Sequence, residues 1–322
     1  MNTASMISRA QGCLLGQLAG DALGSLVEFQ APEKIHQLYP NGVRNMADGG
    51  TWDTIAGQPT DDSEMALVLA RALLNAKSFD DYPTNQVRRA YEYWLHSGPF
   101  DCGVTIRSAL TGRLNPASEA NGALMRISPL GIFCAGSGRH GQVAQWAMRD
   151  AELTHPHPIC LQANALFARA ICWAIQNQTS PEQLYNHIRQ WADGLACLEP
   201  ALKAVIITAE TAPPSDYLTH SGWVLVAFHN ALWQLLHADN LEEGIIDTIM
   251  RGGDTDTNAA ICGALLGAVY GREAIPPRWV RVLENCRPSA DKPNVRHPRP
   301  ECFWPIDALA LAEALLNESL KK

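Results

Sequence analysis

The cysteines of this sequence form no recognisable disulfide or zinc-binding pattern. Nine cysteines occur in 322 residues, an odd number, and none is part of a Cys-x-x-Cys pair. Cys13, Cys134, Cys172 and Cys262 lie in apolar runs, where cysteine behaves as a small buried side chain. We therefore interpret the thiols as structural and expect a reducing compartment, the cytoplasm.

Positive charge and long hydrophobic runs are also scarce. The chain has 25 Lys and Arg against 33 Asp and Glu, a formal net charge of −8, and no basic cluster. This balance disfavours nucleic acid or an anionic membrane as the primary partner. The apolar runs at 224–236 and 259–270 fall short of the roughly 20 residues of a membrane span, and no signal peptide is recognisable. We expect a soluble protein.

Helical patterning dominates the chain. Hydrophobic residues make up 47% and charged residues 18%, which suffices for a large core without disulfides. Strand-like alternation is rare, and neither a strand–helix–strand pattern nor an internal repeat is visible. We predict one compact all-α domain over residues 1–322, with functional loops at 31–59, 98–126 and 285–304. The predicted helices cover residues 6–29, 60–76, 84–97, 141–153, 158–177, 180–193, 200–209, 223–237, 241–251, 257–270, 276–285 and 305–316.

Two of these helices carry glycine at every fourth position, which places the glycines on one helix face. Each glycine costs about 0.5–1 kcal/mol of helix stability relative to alanine, so a stripe of them needs a reason. Close helix–helix approach is that reason, rather than direct ligand contact, and it would bring the ends of the two helices together. The stripes are Gly12, Gly16, Gly20 and Gly24 in one helix, and Gly263, Gly267 and Gly271 in the other.

Acidic residues gather at three helix boundaries. Asp21 and Glu28 lie near the end of the first striped helix, TDDS at 60–63 precedes an apolar run, and GGDTDT at 252–257 precedes another. Helix capping would need only one carboxylate at each place. Several converging carboxylates repel one another unless a cation lies between them, and oxygen ligands suit Mg²⁺ or Mn²⁺. Six side chains suffice for two ions: Thr60, Asp61, Asp62, Asp254, Asp256 and Thr257.

Together, five motifs resemble the ADP-ribosylglycohydrolase family, and are most similar to its dinitrogenase-reductase-activating type. They occur in the family's order and span roughly residues 10–272. None is specific alone, but the set is highly specific. The motifs are LAGDALG at 18–24 followed by Glu28, PTDDSEMAL at 59–67, NGALMRISPLG at 121–131, THPH at 154–157 and RGGDTDTN at 251–258.

The resemblance implies an all-α fold around a binuclear Mg²⁺ or Mn²⁺ centre. The metal ligands that it implies are Thr60, Asp61, Asp62, Asp254, Asp256 and Thr257. It also implies that Glu28 lies beside the metals at the ribose and that Asp101 acts as a general acid or base. The residues expected to hold ADP-ribose are Gly103, Ser118, Asn121, Gly122, Met125 and His157.

One loop departs from the family pattern. Where family members commonly carry an aromatic residue and a glycine, this chain has Glu119 and Ala120 before Asn121. Another aromatic side chain would have to stack on the ligand, and the sequence does not choose among Trp52, Phe100 and Trp304.

The resemblance implies a hydrolase that cleaves the C1″ glycosidic linkage of ADP-ribose, on an ADP-ribosylated protein or an ADP-ribose-containing small molecule. Similarity to the activating type favours arginine-linked ADP-ribose. A sensor of ADP-ribose or a toxin-neutralising binding protein is the alternative, and another metal hydrolase such as a phosphatase is a third. Arg126 either contributes charge to the site or forms a structural ion pair. The sequence leaves open the target protein, the linkage, Mg²⁺ against Mn²⁺ and the oligomeric state.

Overall fold

A computed structural model describes residues 3–76, 81–136, 141–195 and 197–318 of the chain. In this part of the protein the chain forms fifteen α-helices and no β-strand, which confirms the predicted all-α class. The helices are α1 (Thr3–Gly24), α2 (Pro32–Leu38), α3 (Asp61–Leu74), α4 (Thr84–His96), α5 (Val104–Leu110), α6 (Ser128–Gly136), α7 (Val143–Glu152), α8 (Pro158–Asn177), α9 (Pro181–Asp193), α10 (Pro200–Thr208), α11 (Val224–His237), α12 (Leu241–Met250), α13 (Thr255–Tyr270), α14 (Pro277–Asn285) and α15 (Ala308–Glu318).

Three helices were not predicted from the sequence. The helices α2 and α5 have only seven residues each and lie inside segments predicted as loops, because so short a helix shows no clear period. In α6 every residue is buried, so the apolar stripe that marks an amphipathic helix is absent.

The glycine-striped helices α1 and α13 pack against each other in antiparallel orientation. A Cβ atom added to Gly16 would lie 2.1 Å from the carbonyl oxygen of Gly263, and one added to Gly12 would lie 2.5 Å from that of Gly267. The predicted close approach is thereby confirmed. Because the helices are antiparallel, the end of α1 lies beside the beginning of α13, where Gly24 faces Asp256.

The α1–α13 pair lies at the centre of the fold. Besides each other, α1 contacts α6, α8 and α15, and α13 contacts α8, α11 and α12. From Ala10 to Gly24, α1 is buried at every residue, and so is α13 from Thr255 to Val269. The acidic residues at the adjoining ends of this pair are therefore held by buried stretches of both helices.

One helix of the described residues, α8, is long and apolar enough to cross a membrane by length and composition. With 20 residues, α8 is longer than the apolar runs at 224–236 and 259–270. Its apolar window is 78% buried inside the protein, and the helix packs against α6, α7 and α13.

Candidate metal centre and active site

The first group of acidic residues lies at the N-terminus of α3. Thr60 is the N-cap residue, but its side chain makes no capping hydrogen bond. Asp21 of α1 does this work instead, since its carboxylate accepts the backbone N–H of Thr60 at 3.1 Å and that of Ser63 at 3.0 Å. The cap thus comes from a neighbouring helix, which leaves the side chains of Asp61 and Asp62 available for other contacts.

The second group begins α13, directly after a tight glycine turn. Gly252 and Gly253 have φ values of +75° and +76°, a region that favours glycine. A Cβ atom at Gly253 would also lie 2.0 Å from the carbonyl oxygen of Tyr217. The turn places Asp254 at the N-cap, again without a side-chain cap, and Asp256 in the first turn. Helix N-termini carry partial positive charge, which stabilises these carboxylates.

Asp256 connects two sets of converging carboxylates. One oxygen from each of Asp21, Asp62 and Asp256 lies within 4.8 Å of the others, and the same holds for Glu28, Asp101 and Asp256. The Oδ1 atom of Asp62 and the Oδ2 atom of Asp256 are buried and have no hydrogen-bond partner. Buried acceptors are normally satisfied, so these orphaned oxygens fit a site for bound cations.

Burial and mutual repulsion raise the pKa values of these carboxyl groups above those of ordinary Asp and Glu side chains. Burial raises the pKa of Glu28 to about 8, with a further contribution from the charge of Asp101. The pKa of Asp101 rises to about 9, first through burial and then through Asp61. The pKa of Asp61 itself rises to about 7, mainly through burial. A bound cation would reverse these shifts by stabilising the ionised forms.

The sequence predicts a helix over residues 6–29 that contains Glu28. In the structure α1 ends at Gly24, so Glu28 lies outside the helix. It occupies the following turn, where its Oε2 atom accepts the indole N–H of Trp52 at 2.6 Å. The Trp52 ring packs against Phe100, the neighbour of Asp101, with ring centroids 6.1 Å apart. These contacts connect the turn that carries Glu28 to the segment that carries Asp101.

The loop predicted to hold ADP-ribose forms a 3-10 helix, Asn121–Ala123. The side-chain amide of Asn121 donates to Asp254 Oδ2 at 2.7 Å, which connects the loop to the second acidic group. A Cβ atom at Gly122 would lie 2.8 Å from Ile106 Cδ1 and 3.1 Å from His155 Cε1, so a larger residue would require these side chains to shift.

Arg126 donates to the Gly122 carbonyl of this loop at 3.4 Å and does not belong to the cleft lining. Its guanidinium is fully buried, forms a 2.9 Å ion pair with Asp150 and lies over the Tyr91 ring at 4.4 Å. Tyr82 and Tyr91 also donate to Asp150, so the buried carboxylate is fully partnered. Of the two alternatives left open by the sequence, the structural ion pair is the one observed.

Most of the predicted site residues line one cleft of about 290 Å³. Thr60 and Asp62 are buried and do not belong to its lining, and the Thr60 hydroxyl lies 2.9 Å from an Asp62 oxygen. The predicted residues in the lining are Glu28, Asp61, Asp101, Gly103, Asn121, Gly122, Met125, Asp254, Asp256 and Thr257.

Two predicted ligand-binding residues lie outside this lining. Ser118 forms a 2.8 Å hydrogen bond with Thr105. The Nδ1 atom of His157 accepts the N–H of Ile159 as the cap of α8, and its Nε2 atom lies 3.6 Å from Glu119. His157 is therefore positioned as a helix-entry residue.

Eight residues of the cleft lining are not among the site residues predicted from the sequence: Phe29, Val104, Thr105, Ile106, Ala120, His155, Ser221 and Gly222. His155 belongs to the same THPH motif as His157 but is completely buried, and its Nε2 atom has no hydrogen-bond partner. Burial lowers its pKa to about 3, so the imidazole is neutral at physiological pH. Three aromatic residues were candidates for stacking on the ligand. None of them, Trp52, Phe100 or Trp304, belongs to the cleft lining.

The comparisons with known proteins agree with this geometry. The sequence model of the family described as ADP-ribosylglycohydrolase matches residues 2–319. The chain is 30% identical to the ADP-ribosyl-[dinitrogen reductase] glycohydrolase of Rhodospirillum rubrum, over 88% of this chain and 93% of that protein. It is also 30% identical to the ADP-ribosylarginine hydrolase Tri1 of Pseudomonas putida (strain GB-1), over 85% of this chain and 74% of that one.

A solved structure, described as an ADP-ribosylglycohydrolase-related protein complex, superimposes with a TM-score of 0.78 at 28% identity. The match covers 98% of this chain and 99% of that chain, so the likeness extends over the whole fold. The acidic cleft, the matched family and the shared fold lead to one conclusion. The chain belongs to the ADP-ribosylglycohydrolase family, and is a glycosidic-bond hydrolase that removes ADP-ribose from modified substrates.

Proposed function

We propose that this protein removes ADP-ribose from arginine side chains of a modified protein by hydrolysing the C1″–N glycosidic bond. One observation carries the proposal: Glu28, Asp101 and Asp256 converge in a cleft that Asn121 and Gly122 also line. Carboxylates for proton transfer thus lie next to a backbone suited to a diphosphate. The names of the Rhodospirillum and Pseudomonas relatives support the arginine linkage and a protein substrate.

Two Mg²⁺ or Mn²⁺ ions would be held by the oxygen ligands Thr60, Asp61, Asp62, Asp254, Asp256 and Thr257. When bound, such ions hold and polarise the ribose hydroxyls and water. The fit is supported by the orphaned oxygens of Asp62 and Asp256, which are buried in the same cluster.

The two remaining carboxylates divide the proton transfers. Asp101 has the higher pKa, about 9, and is the group suited to donate a proton to the leaving nitrogen. Glu28 accepts the Trp52 indole N–H, and a bound cation would further favour its ionised form, which suits it to take a proton from water. Water oxygen bonds to C1″, the C1″–N bond breaks, and its electron pair stays on the arginine nitrogen protonated by Asp101.

The diphosphate would bind at the start of the 3-10 helix. The amide of Asn121 is engaged by Asp254 and its backbone N–H by the Gly222 carbonyl at 3.0 Å, so neither is free for a phosphate. We assign the phosphate contacts to the backbone N–H groups of Gly122 and Ala123, because the first N–H groups of a helix lack intrahelical partners.

The function is tested by incubating the purified protein with arginine-ADP-ribosylated protein, in Mg²⁺, in Mn²⁺ and in EDTA. Free ADP-ribose in the metal samples alone is the expected result. Tight binding of ADP-ribose without release from arginine- or serine-linked substrates would refute the hydrolase and favour the sensor. Release from the serine-linked substrate alone would refute the arginine linkage.

We also propose that the protein works in a reducing compartment, the cytoplasm. All nine cysteines are free thiols, and most are buried. Fractionation of the source cells with an antibody against the protein tests this, and recovery from an extracytoplasmic fraction would contradict it.

A further inference from the structure

Two large hydrophobic side chains are exposed at the rim of the cleft. Phe29 is 64% exposed and Val104 is 83% exposed, and both belong to the cleft lining. The other exposed large hydrophobic residues of the described chain lie outside that lining. A single exposed hydrophobic residue is ordinary, but two that face one catalytic cleft offer an apolar surface to a ligand.

The backbone of Phe29 is held in an unfavourable conformation. Its φ angle is +61°, in the left-handed region, where a bulky side chain is rarely found. Two hydrogen bonds keep it there: the Phe29 N–H donates to the Gly253 carbonyl at 2.7 Å, and the Gly253 N–H donates to the Gln30 carbonyl at 3.2 Å. Glycine would take this conformation without steric cost. A strained, exposed ring beside a reaction centre indicates a role in function rather than in folding.

The two rim residues flank the carboxylates that the proposed reaction uses. Phe29 directly follows Glu28 and is bonded to the turn that precedes Asp254. Val104 directly follows Gly103, whose N–H donates to Asp61 at 3.2 Å. The acceptor side chain of an ADP-ribosylated protein must enter past this rim, because the protein to which it belongs stays outside the cleft.

The rim combines an aromatic face with a strongly acidic floor, and this combination suits a flat cation. A guanidinium group binds the face of an aromatic ring, and the neighbouring carboxylates attract its charge. We propose that Phe29 contacts the guanidinium of the acceptor arginine and selects it over uncharged acceptors, with Val104 packing on its aliphatic part. This inference rests on the proposed function and names its selectivity residue.

The test compares hydrolysis of an ADP-ribosyl-arginine peptide with that of an ADP-ribosyl-serine peptide. For Phe29→Ala we expect kcat/KM on the arginine substrate to fall about tenfold, which lies between the size of a cation–π contact at an exposed site and that of a desolvated one, while the Kd for free ADP-ribose stays unchanged. Phe29→Tyr, which keeps the ring, should retain the activity. Leu38→Ala, which removes a 55% exposed side chain outside the cleft, is the matched control.

A second variant separates function from stability. Phe29→Gly should match Phe29→Ala in its loss of activity but keep the thermal midpoint of the wild type, because glycine relieves the left-handed strain. Unchanged arginine hydrolysis in all Phe29 variants, or an equal loss of ADP-ribose affinity, would overturn the assignment of Phe29 while the proposed function stands. A wild-type protein inactive on the arginine peptide would overturn both.

Discussion

The substitution Gly16→Ala tests whether the contact between α1 and α13 determines the stability of the protein. The added Cβ atom would lie 2.1 Å from the Gly263 carbonyl oxygen and 2.8 Å from its carbonyl carbon. Both are backbone atoms of the centre of α13, so no side chain can rotate away. The helices would have to separate by roughly 1 Å to relieve the overlap.

Two opposing effects set the size of the change. Alanine raises helix propensity by about 0.8–1 kcal/mol relative to glycine. Overpacking of a core costs about 1–3 kcal/mol or more, and here the upper end applies because the clash is with backbone. We expect a net loss of about 2 kcal/mol in the free energy of unfolding for Gly16→Ala.

Urea denaturation followed by circular dichroism measures this loss. Gly194→Ala is the matched control: Gly194 ends α9 with φ −83°, and a Cβ atom there meets nothing closer than 3.5 Å. The control should stay within about 0.5 kcal/mol of the wild type. A Gly16→Ala protein as stable as the wild type would refute the packing argument.

Three further predictions concern the acidic cleft. Asp256→Ala should abolish turnover and the thermal stabilisation by Mn²⁺ while far-ultraviolet circular dichroism stays native; retained turnover would contradict the metal assignment. Asp101→Asn should reduce kcat more than ADP-ribose affinity, measured by steady-state kinetics and calorimetry; an equal loss in both would make Asp101 a binding residue. Without metal, the raised pKa of Glu28 means that its stabilising contribution is present below pH 4.5 and is lost as pH rises through about 8. The thermal midpoint in EDTA should therefore fall from pH 5 to pH 9, and Mn²⁺ should reduce that fall; a midpoint independent of pH would refute this.

The features that sequence predicted well are encoded locally. The Ser180-Pro181-Glu182 start predicts α9, and the structure contains the capping box that such a start implies. The four-residue glycine spacing predicts the helix contact because only a face without side chains permits it. The acidic motifs predict carboxylates at the starts of α3 and α13, because a helix N-terminus favours negative charge regardless of the remaining fold.

The features that sequence missed depend on tertiary structure. His155 and His157 are two residues apart in one motif, and only the direction of the chain at the entry to α8 decides which of them lines the cleft. The capping of α3 by Asp21 joins residues distant in sequence, which no local pattern reveals. The strained backbone of Phe29 likewise follows from hydrogen bonds to Gly253, at the far end of the chain.

The pairing of α1 with α13 also constrains how the protein acquires its structure during synthesis. Gly16 and Gly263 meet in the centre of the core although most of the chain separates them, so the loop closed by their contact is very long. Until the segment that forms α13 has left the ribosome, the glycine face of α1 has no partner and the carboxylate cluster lacks Asp254 and Asp256. Cation binding can therefore assist only the last stage of folding, and contacts of such high sequence separation are expected to make that stage slow.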